Sequence, residues 1–227
     1  MRILQYKTVI SATFCSRPNR FIAHCLIDGK ETVCHVKNTG RCKELLIPGC
    51  RVFVTPGENP ARKTPYDLIG VEKDGEIINI DSACPNQAVA QWLPTFLPKD
   101  AHIRPETKFG SSRMDFYAKA GKEEFLIEVK GVTLKQNGVA LFPDAPTTRG
   151  VRHLQELTQA VKKGYTCYVI FVIQMKGVTH FSPNRITDPA FAKALETAMD
   201  AGVRVLALDC KVTPTEMEID GEIPVIL

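Results

Sequence analysis

The sequence lacks several features that would define its class at once. No apolar run in its 227 residues approaches the ~20 residues that a membrane helix needs. Lys7 lies inside what would be the apolar part of a signal peptide, and no small-residue cleavage site follows it. The chain also has no internal repeat and no low-complexity stretch. We therefore expect a cytoplasmic protein that does not enter a membrane.

Zinc-binding cysteine pairs are absent as well. The eight cysteines contain no C-x-x-C and form no paired cluster with histidine, so their spacing does not predict a zinc site. A chain of this length can fold without disulfides, and we expect buried free thiols. The single tryptophan gives little support to an aromatic platform for sugars.

The composition that is present is typical of a globular protein. Hydrophobic residues make up 44% and charged residues 24%, enough for a sizeable core in one or two domains. Basic residues concentrate near the N-terminus: residues 1–70 hold 11 Lys+Arg against 5 Asp+Glu, whereas residues 71–227 hold 18 against 20. This asymmetry weakly indicates an anionic partner, nucleic acid first, with a merely solvated basic face as the alternative.

The pattern of elements changes near Asp81. The first 81 residues read as short strands separated by turns, including a hairpin signal at Asp28-Gly29, which predicts a small barrel or sandwich. Beyond them we expect a short helix, Asn86–Leu93, that Pro94 ends, and then a loop-rich passage through Pro105.

Later segments of the chain alternate between strands and helices. Two strands joined around Gly121 precede a continuous apolar run, Tyr165–Ile173, which is typical of a strand buried on both faces. Helical spacing of apolar residues precedes and follows that run. Residues 82–227 therefore predict a three-layer α/β (α+β) domain with a mixed sheet.

The most informative segment is R-M-D-F-Y-A-K-A-G-K-E-E-F-L-I-E-V-K, residues 113–130. The two-residue period of a strand puts Glu128 and Lys130 on one face. If the turn centres near Ala120–Gly121, Asp115 lies opposite Leu126 and diagonal to Glu128, about 7–8 Å away at the backbone. Two carboxylates so placed can converge on one metal ion.

This arrangement suits metal-assisted hydrolysis of a phosphodiester. Asp115 and Glu128 would hold Mg²⁺ or Mn²⁺, and the ammonium of Lys130 would stabilise the charged phosphate or orient the attacking water. The alternative that the pattern leaves open is a solvated ladder of ion pairs across a hairpin.

Several segments in order resemble the sugar fermentation stimulation protein A (SfsA) family over nearly the whole chain. They are V-K-N-T-G-R (36–41), N-P-A-R-K-T (59–64), K-F-G-S-S-R-M-D-F (108–116), E-V-K-G-V-T-L (128–134), F-P-D-A-P-T-T-R-G-V-R-H-L-Q-E-L (142–157) and A-G-V-x-V-L (201–206). The resemblance implies an N-terminal OB-like barrel, residues 1–81, and a C-terminal PD-(D/E)XK nuclease-like domain, residues 82–227. It also implies DNA binding and a regulatory part in maltose and other sugar metabolism.

The resemblance assigns roles to individual residues. Asp115 matches the metal-binding Asp of the nuclease motif, Glu128 its Asp/Glu position and Lys130 its Lys, whereas Met114 replaces the weakly required Pro. Glu106 is a further candidate metal ligand. Arg149 and His153 lie where related nucleases place a helix residue that faces the phosphates, and the alternative for His153 is a surface position on an amphipathic helix.

Cations of the basic part are the candidates for nucleic-acid contact, with Phe21 and Tyr66 as nearby aromatics for base stacking. The set is Arg17, Arg20, Lys37, Arg41, Lys43, Arg62, Lys63 and Arg149. For any one of them the alternative is a merely solubilising charge, and for Phe21 it is a core position. No recognition-helix motif is present, so we expect DNA binding without strong sequence preference.

The sequence thus predicts a DNA-binding protein with a metal-dependent nuclease site. A regulator that binds DNA and cuts nothing, with the nuclease fold as its scaffold, is the second hypothesis. A sugar- or nucleotide-responsive binding module is the third. DNA against RNA, single against double strand, and the oligomeric state stay open.

Overall fold

The computed structural model describes residues 4–57, 59 and 61–227. Pro60, within one of the segments quoted above, lies outside the described residues. All eight cysteines are free and six of them are buried, which confirms the prediction of unpaired thiols. Among the described residues, no helix combines the length and the apolar character that crossing a bilayer requires.

Six strands of the N-terminal part form one sheet that closes on itself. After the short strand β1 (Leu4–Gln5) come β2 (Ile10–Asn19), β3 (Ile22–Ile27), β4 (Lys30–Val36), β5 (Arg51–Pro56), β6 (Tyr66–Lys73) and β7 (Glu76–Asn79). The strand order is β4-β3-β2-β5-β6-β7, and a parallel pairing of β4 with β6 closes β2 to β6 into a five-stranded barrel. Phe14, Val52 and Leu68 fill its interior. The expected OB-like barrel is confirmed.

The predicted turn signals act as expected in the barrel. Asp28 and Gly29 both have positive φ angles, 49° and 77°, and join β3 to β4 as a two-residue hairpin. A glycine tolerates this conformation without strain, which makes Asp-Gly a strong hairpin signal.

The remaining elements build a layered domain around a second sheet. They are α1 (Cys84–Phe96), β8 (His102–Phe109), β9 (Ser112–Ala120), β10 (Glu123–Val132), β11 (Leu134–Gln136), β12 (Val139–Phe142), α2 (Thr148–Lys162), β13 (Thr166–Ile173), β14 (His180–Pro183), α3 (Pro189–Asp200), β15 (Arg204–Val212) and β16 (Glu216–Ile223). The main sheet has the order β1-β16-β15-β13-β10-β9-β8, and β13 runs parallel to both β10 and β15. The predicted mixed sheet is confirmed.

Helices cover both faces of this sheet. On one face, α1 packs Val89 and Leu93 against Ile127 and neighbouring residues of the central strands. On the other face, α2 packs Leu154 and Leu157 in the cluster that also contains Phe171 of β13. Strand β13 is buried along almost its whole length, as its apolar run predicts.

Two predictions based on proline were wrong. Helix α1 continues through Pro94 to Phe96, because the proline removes one N–H donor only and the Leu97 N–H still bonds the Leu93 carbonyl. The expected loop through Pro105 is strand β8. It forms the edge of the sheet, where a missing ladder donor is tolerated.

Strand β1 belongs to the second sheet although it precedes the barrel in the chain. Leu4 and Gln5 pair with Met217 and Glu216 of β16. The chain therefore leaves the second sheet after β1, forms the barrel, and returns at α1.

Candidate functional site

The hairpin of β9 and β10 places the two predicted carboxylates side by side. Gly121, with a φ of 56°, starts the turn, and Ala120 pairs with Glu123. The turn lies about one residue later than predicted, so Leu126 pairs with Tyr117 and not with Asp115. The paired ladder ends at Phe116 and Ile127, and Asp115 and Glu128 are the next residues on the two strands. The predicted diagonal register is therefore wrong, and the two carboxylates lie one residue beyond the last paired residues, near enough for the charge of Glu128 to act on Asp115.

Beyond the last paired residues, the side chain of Asp115 accepts a backbone N–H of β10 that the strand pairing no longer bonds. Its Oδ2 accepts the Val129 N–H at 2.7 Å, and its Oδ1 accepts the side-chain amide of Asn86 at 2.7 Å. Burial, together with the negative charge of Glu128, raises the pKa of the Asp115 carboxyl above its ordinary value. A positive charge placed between the two carboxylates would relieve this repulsion.

Glu128 is almost completely buried, with 2% of its surface exposed. Its Oε1 accepts hydrogen bonds from Lys130 Nζ at 2.5 Å and from His153 Nδ1. Burial would raise the pKa of this carboxyl, but the His153 bond and the Lys130 charge outweigh it and hold the pKa below its ordinary value. Its Oε2 is buried and has no hydrogen-bond partner.

Helix α2 supplies a third contact to the carboxylate pair. His153 is 2% exposed, so the alternative of a surface position for it is wrong. Arg149 Nε donates to His153 Nε2 at 3.3 Å, which makes Nε2 the acceptor and leaves Nδ1 to donate to Glu128. Arg149 itself is exposed, one helical turn before His153. The two residues form a chain of hydrogen bonds that orients Glu128.

The chemistry of the donor set fits a hard divalent cation. Asp115 and Glu128 offer two carboxylates, and Glu128 Oε2 is a buried oxygen without a donor. Within the described part of the chain no group of three or more His, Cys, Asp or Glu residues is arranged to hold a metal ion, so water or substrate would complete the coordination by the two carboxylates. Glu106 lies on β8 across from Asp115, between the pairs Pro105–Phe116 and Thr107–Met114, but its side chain is exposed and bonds Arg113 at 3.0 Å.

The predicted nucleic-acid cations fall into three places. Arg17, Arg20, Arg41 and Lys43 line a cleft of about 640 Å³ on the barrel, which we call the basic basin. Lys37 and Arg62 line a cleft of about 490 Å³ between the barrel and the second domain, which we call the paired seam. Arg149 adjoins the carboxylates, and Lys63 is exposed one residue from Arg62.

Arg17 holds the segments that form the wall of the basic basin together by hydrogen bonds. Its guanidinium donates to the backbone carbonyls of Arg41 at 2.7 Å, Arg20 at 2.8 Å and Asn38 at 2.7 Å. These bonds tie the β2–β3 turn to the segment after β4. Arg17 therefore shapes the basin, and Arg20, Arg41 and Lys43 are its exposed cations.

A third cleft borders the basin and reaches the end of β10. This central cleft, of about 330 Å³, shares Thr39, Gly40 and Ala145 with the basin. Gly131, the residue after Lys130, lies in its wall, as does Pro85, the residue before Asn86. The basin thus adjoins a cleft that reaches Gly131, the residue after Lys130, although Asp115 and Glu128 themselves do not line that cleft.

Sequence reasoning missed Asn86 as part of this site. It lies 29 residues from Asp115 in the chain, at the first turn of α1, and only the packing of α1 on the sheet brings the two together. No motif or periodicity in the sequence signals such a contact.

Comparisons with known proteins agree with this architecture. The family model described as "SfsA N-terminal OB domain" matches residues 15–80, and that described as "Sugar fermentation stimulation protein RE domain" matches residues 83–216. A sugar fermentation stimulation protein homolog of Desulfitobacterium hafniense is 54% identical over 216 residues, 95% of each chain. A homolog of the same description from Clostridium beijerinckii is 51% identical over 99% of this chain and 100% of its own.

A solved structure shares the whole fold. It is described as the structure of Pyrococcus furiosus SfsA in complex with Ca²⁺, and it superposes with a TM-score of 0.90 at 30% identity over 100% of both chains.

Proposed function

The chain belongs to the sugar fermentation stimulation protein family, and from this membership and the carboxylate pair we propose that it is a DNA-binding protein with a divalent-metal-dependent nuclease site. Asp115 and Glu128 are the metal ligands in this proposal, and Mg²⁺ or Mn²⁺ is the metal. The cytoplasm stays the expected compartment.

The observation that carries the proposal is the unpartnered Oε2 of Glu128. A buried carboxylate oxygen without a donor costs free energy, and proteins rarely leave one unless a ligand or ion supplies the missing contact. The raised pKa of Asp115 points the same way, because burial and the nearby Glu128 carboxylate both disfavour its charged form in the absence of a cation. The related protein of Pyrococcus furiosus is described as a complex with Ca²⁺, which prefers the same oxygen ligands.

Each residue of the site has a separate task. A divalent cation, when bound, polarises a phosphate oxygen and makes a bound water more acidic. Asn86 and the Val129 N–H hold Asp115 in one orientation, and His153 does the same for Glu128. The ammonium of Lys130 lies at the partly exposed edge of the pair, where it can stabilise the negative charge that builds up on a phosphodiester under attack.

A nucleic acid is the favoured partner because exposed cations line the basin, and the choice of DNA follows the family resemblance. Arg20, Arg41 and Lys43 surround the basin, and the central cleft joins the basin to the wall next to Lys130. Lys and Arg contacts to phosphates supply affinity without reading sequence.

The test is a cleavage assay with end-labelled single- and double-stranded DNA and RNA, in Mg²⁺, Mn²⁺ or EDTA. We expect metal-dependent cutting that falls by a factor of about 10² or more in Asp115→Asn and in Lys130→Ala. Glu123→Gln, an exposed carboxylate on the same strand, is the matched control and should cut like the unchanged protein. Glu106→Gln reports whether that residue adds to the ligands.

Metal binding is measured separately by calorimetry with Mg²⁺, Mn²⁺ and Ca²⁺. Heat of binding that disappears in Asp115→Asn supports the site even where no substrate is cut. DNA binding without cutting under any condition would overturn the nuclease and favour the regulator that keeps this fold as a scaffold.

A further inference from the structure

We propose that the basic basin holds an unpaired nucleotide of the bound DNA, its base on the apolar floor and its phosphates at the rim, so that the substrate class is single-stranded DNA. This inference rests on the proposed function for its partner, DNA, but it does not depend on cleavage.

The basin combines two surfaces that a nucleotide needs. Its floor is apolar, formed by Phe14, Cys42 and Leu46, and Pro48 lies beside them. Its rim carries the exposed cations Arg20, Arg41 and Lys43. A volume of about 640 Å³ lies within the range of pockets that bury a whole small ligand.

No acidic side chain competes for these cations. Among the described residues that line the basin there is no Asp or Glu, and none of its three exposed cations takes part in a salt bridge. Asp144, from the segment before α2, instead accepts the backbone N–H of Arg41 at 3.0 Å. The three side chains are therefore available to an anionic ligand, and phosphate is the anion that arginine recognises best.

The basin is also built in advance of binding. The three carbonyl bonds of Arg17 fix the relative positions of the segments that carry Arg20 and Arg41. A pocket whose walls are already ordered loses less entropy when a ligand enters it.

An apolar floor distinguishes a single strand from a duplex. In a duplex the faces of the bases are stacked on each other, whereas an unpaired base can lie on a flat apolar surface. Phe21, the residue after Arg20, adds a second such surface next to the basin: 46% of it is exposed, and the Arg20 guanidinium lies 5.0 Å from its ring centroid. The core position considered for Phe21 is thereby wrong.

The position of the basin gives the strand a path to the carboxylates. Thr39, Gly40 and Ala145 border both the basin and the central cleft. A strand anchored in the basin can follow this border toward Gly131 and Lys130. We therefore expect the anchored nucleotide to lie a short distance along the strand from the bond that is cut.

The experiment measures binding of a labelled oligonucleotide by fluorescence anisotropy in EDTA, so that no cleavage is needed. We expect the single strand to bind at least about tenfold more tightly than the duplex of the same sequence. Replacing Arg20, Arg41 and Lys43 together by Gln should weaken single-strand binding by one to two orders of magnitude and reduce the salt slope by about 2. Phe21→Ala should weaken it about tenfold.

The matched control replaces the exposed lysines Lys30, Lys99 and Lys122 by Gln, the same loss of three charges away from the basin. It should bind the single strand nearly as well as the unchanged protein. Far-ultraviolet circular dichroism and thermal unfolding show whether each variant is folded.

Three outcomes would overturn the inference. Equal affinity for the single strand and the duplex would show that the substrate class is not single-stranded DNA. Equal losses of affinity in the basin variant and the control variant would show that the basin is not the binding site. A deoxynucleoside monophosphate that competes as tightly as the strand would assign the basin to free nucleotides. A protein that binds the single strand in the basin yet cuts nothing would refute the nuclease and leave this inference standing.

Discussion

The basic basin and the paired seam are both lined by cations from the basic N-terminal part, residues 1–70. The two clefts differ in whether these cations are paired with carboxylates. In the seam, Lys37 pairs with Asp81 at 2.7 Å and Arg62 with Asp67 at 2.6 Å, and both carboxylates are buried. In the basin, among the described residues, no ion pair joins an exposed cation to a carboxylate, and Asp144 accepts the backbone N–H of Arg41 instead. The difference shows that a count of positive charges does not identify a binding surface. The position of the negative charges decides which cations are available to a ligand.

The seam has a structural task that the basin lacks. Asp81 accepts Lys37 from the barrel and the hydroxyl of Tyr6 at 3.2 Å, just before helix α1 of the second domain. Asn79 donates to the same hydroxyl at 3.1 Å. We therefore expect substitutions in the seam to change stability and substitutions in the basin to change affinity.

The largest effect on stability should come from Asp67→Ala. This buried carboxylate accepts two bonds from Arg62 and lies 2.9 Å from His35 Nδ1, so its loss removes the negative charge that faces the Arg62 guanidinium. We expect the free energy of unfolding in urea at pH 7 to fall by about 3 kcal/mol. A change below about 1 kcal/mol would contradict the assignment of Asp67 to a structural pair.

The contribution of Asp67 to stability should depend on pH. Burial would raise the pKa of Asp67, but the bonds from Arg62 and His35 outweigh it and lower the pKa. A depressed pKa stabilises the fold above the ordinary value for Asp, and this contribution is lost as the pH falls through the folded-state value. The difference between the unchanged protein and Asp67→Asn should therefore shrink from about pH 5 to about pH 2. A difference that is constant over this range would refute the mechanism.

A smaller loss is expected for Lys37→Gln, which leaves the buried Asp81 with one donor fewer. The free energy of unfolding should be about 2 kcal/mol lower than that of the unchanged protein. Single-strand affinity in EDTA should fall less than in Arg41→Gln, which removes the same charge from the basin. The opposite order of affinities would show that the seam, and not the basin, contacts DNA.

The smallest effect should come from Tyr6→Phe. The hydroxyl of Tyr6 lies 2.8 Å from Cys84 Sγ and 3.2 Å from Asp81 Oδ2, and burial with these neighbours raises its pKa. Removing it should lower the free energy of unfolding by about 1 kcal/mol, with DNA affinity unchanged. A loss of DNA affinity larger than that of Phe21→Ala would show that Tyr6 contacts the DNA. It would contradict the expectation that the seam affects stability and the basin affects affinity.

Local patterns predicted much of the fold. Alternation placed Glu128 and Lys130 on the same face of β10, where their side chains are in contact, and the Asp-Gly turn and the apolar run of β13 were confirmed. The register of β9 against β10 was wrong by two residues, because it depends on which residues form the turn, and Gly121 begins it instead of ending it. A shift of two residues keeps each side chain on its face, so the carboxylates still meet.

Contacts between distant segments could not be predicted from one sequence. Asn86 reaches Asp115, and Asp81 neutralises Lys37, only because α1 and the barrel pack as they do. The helix end predicted at Pro94 and the loop predicted through Pro105 were wrong for a related reason. Their local preference for a break is weaker than the packing of the helix and the pairing of the sheet edge that contain them.

The pairing of β1 with β16 makes the barrel an insertion within the second domain. Its two connections to that domain, at Tyr6 and at Asp81, run side by side and are joined by a hydrogen bond. A fragment that starts at residue 82 would lack the edge strand of its own sheet, so the two parts do not separate cleanly by cutting the chain once. A load on the barrel would be shared by both connections and by contacts outside them, such as the Arg41 N–H bond to Asp144 and the Gln174 bond to the Asn79 carbonyl, so a single cut in the chain would not release the barrel.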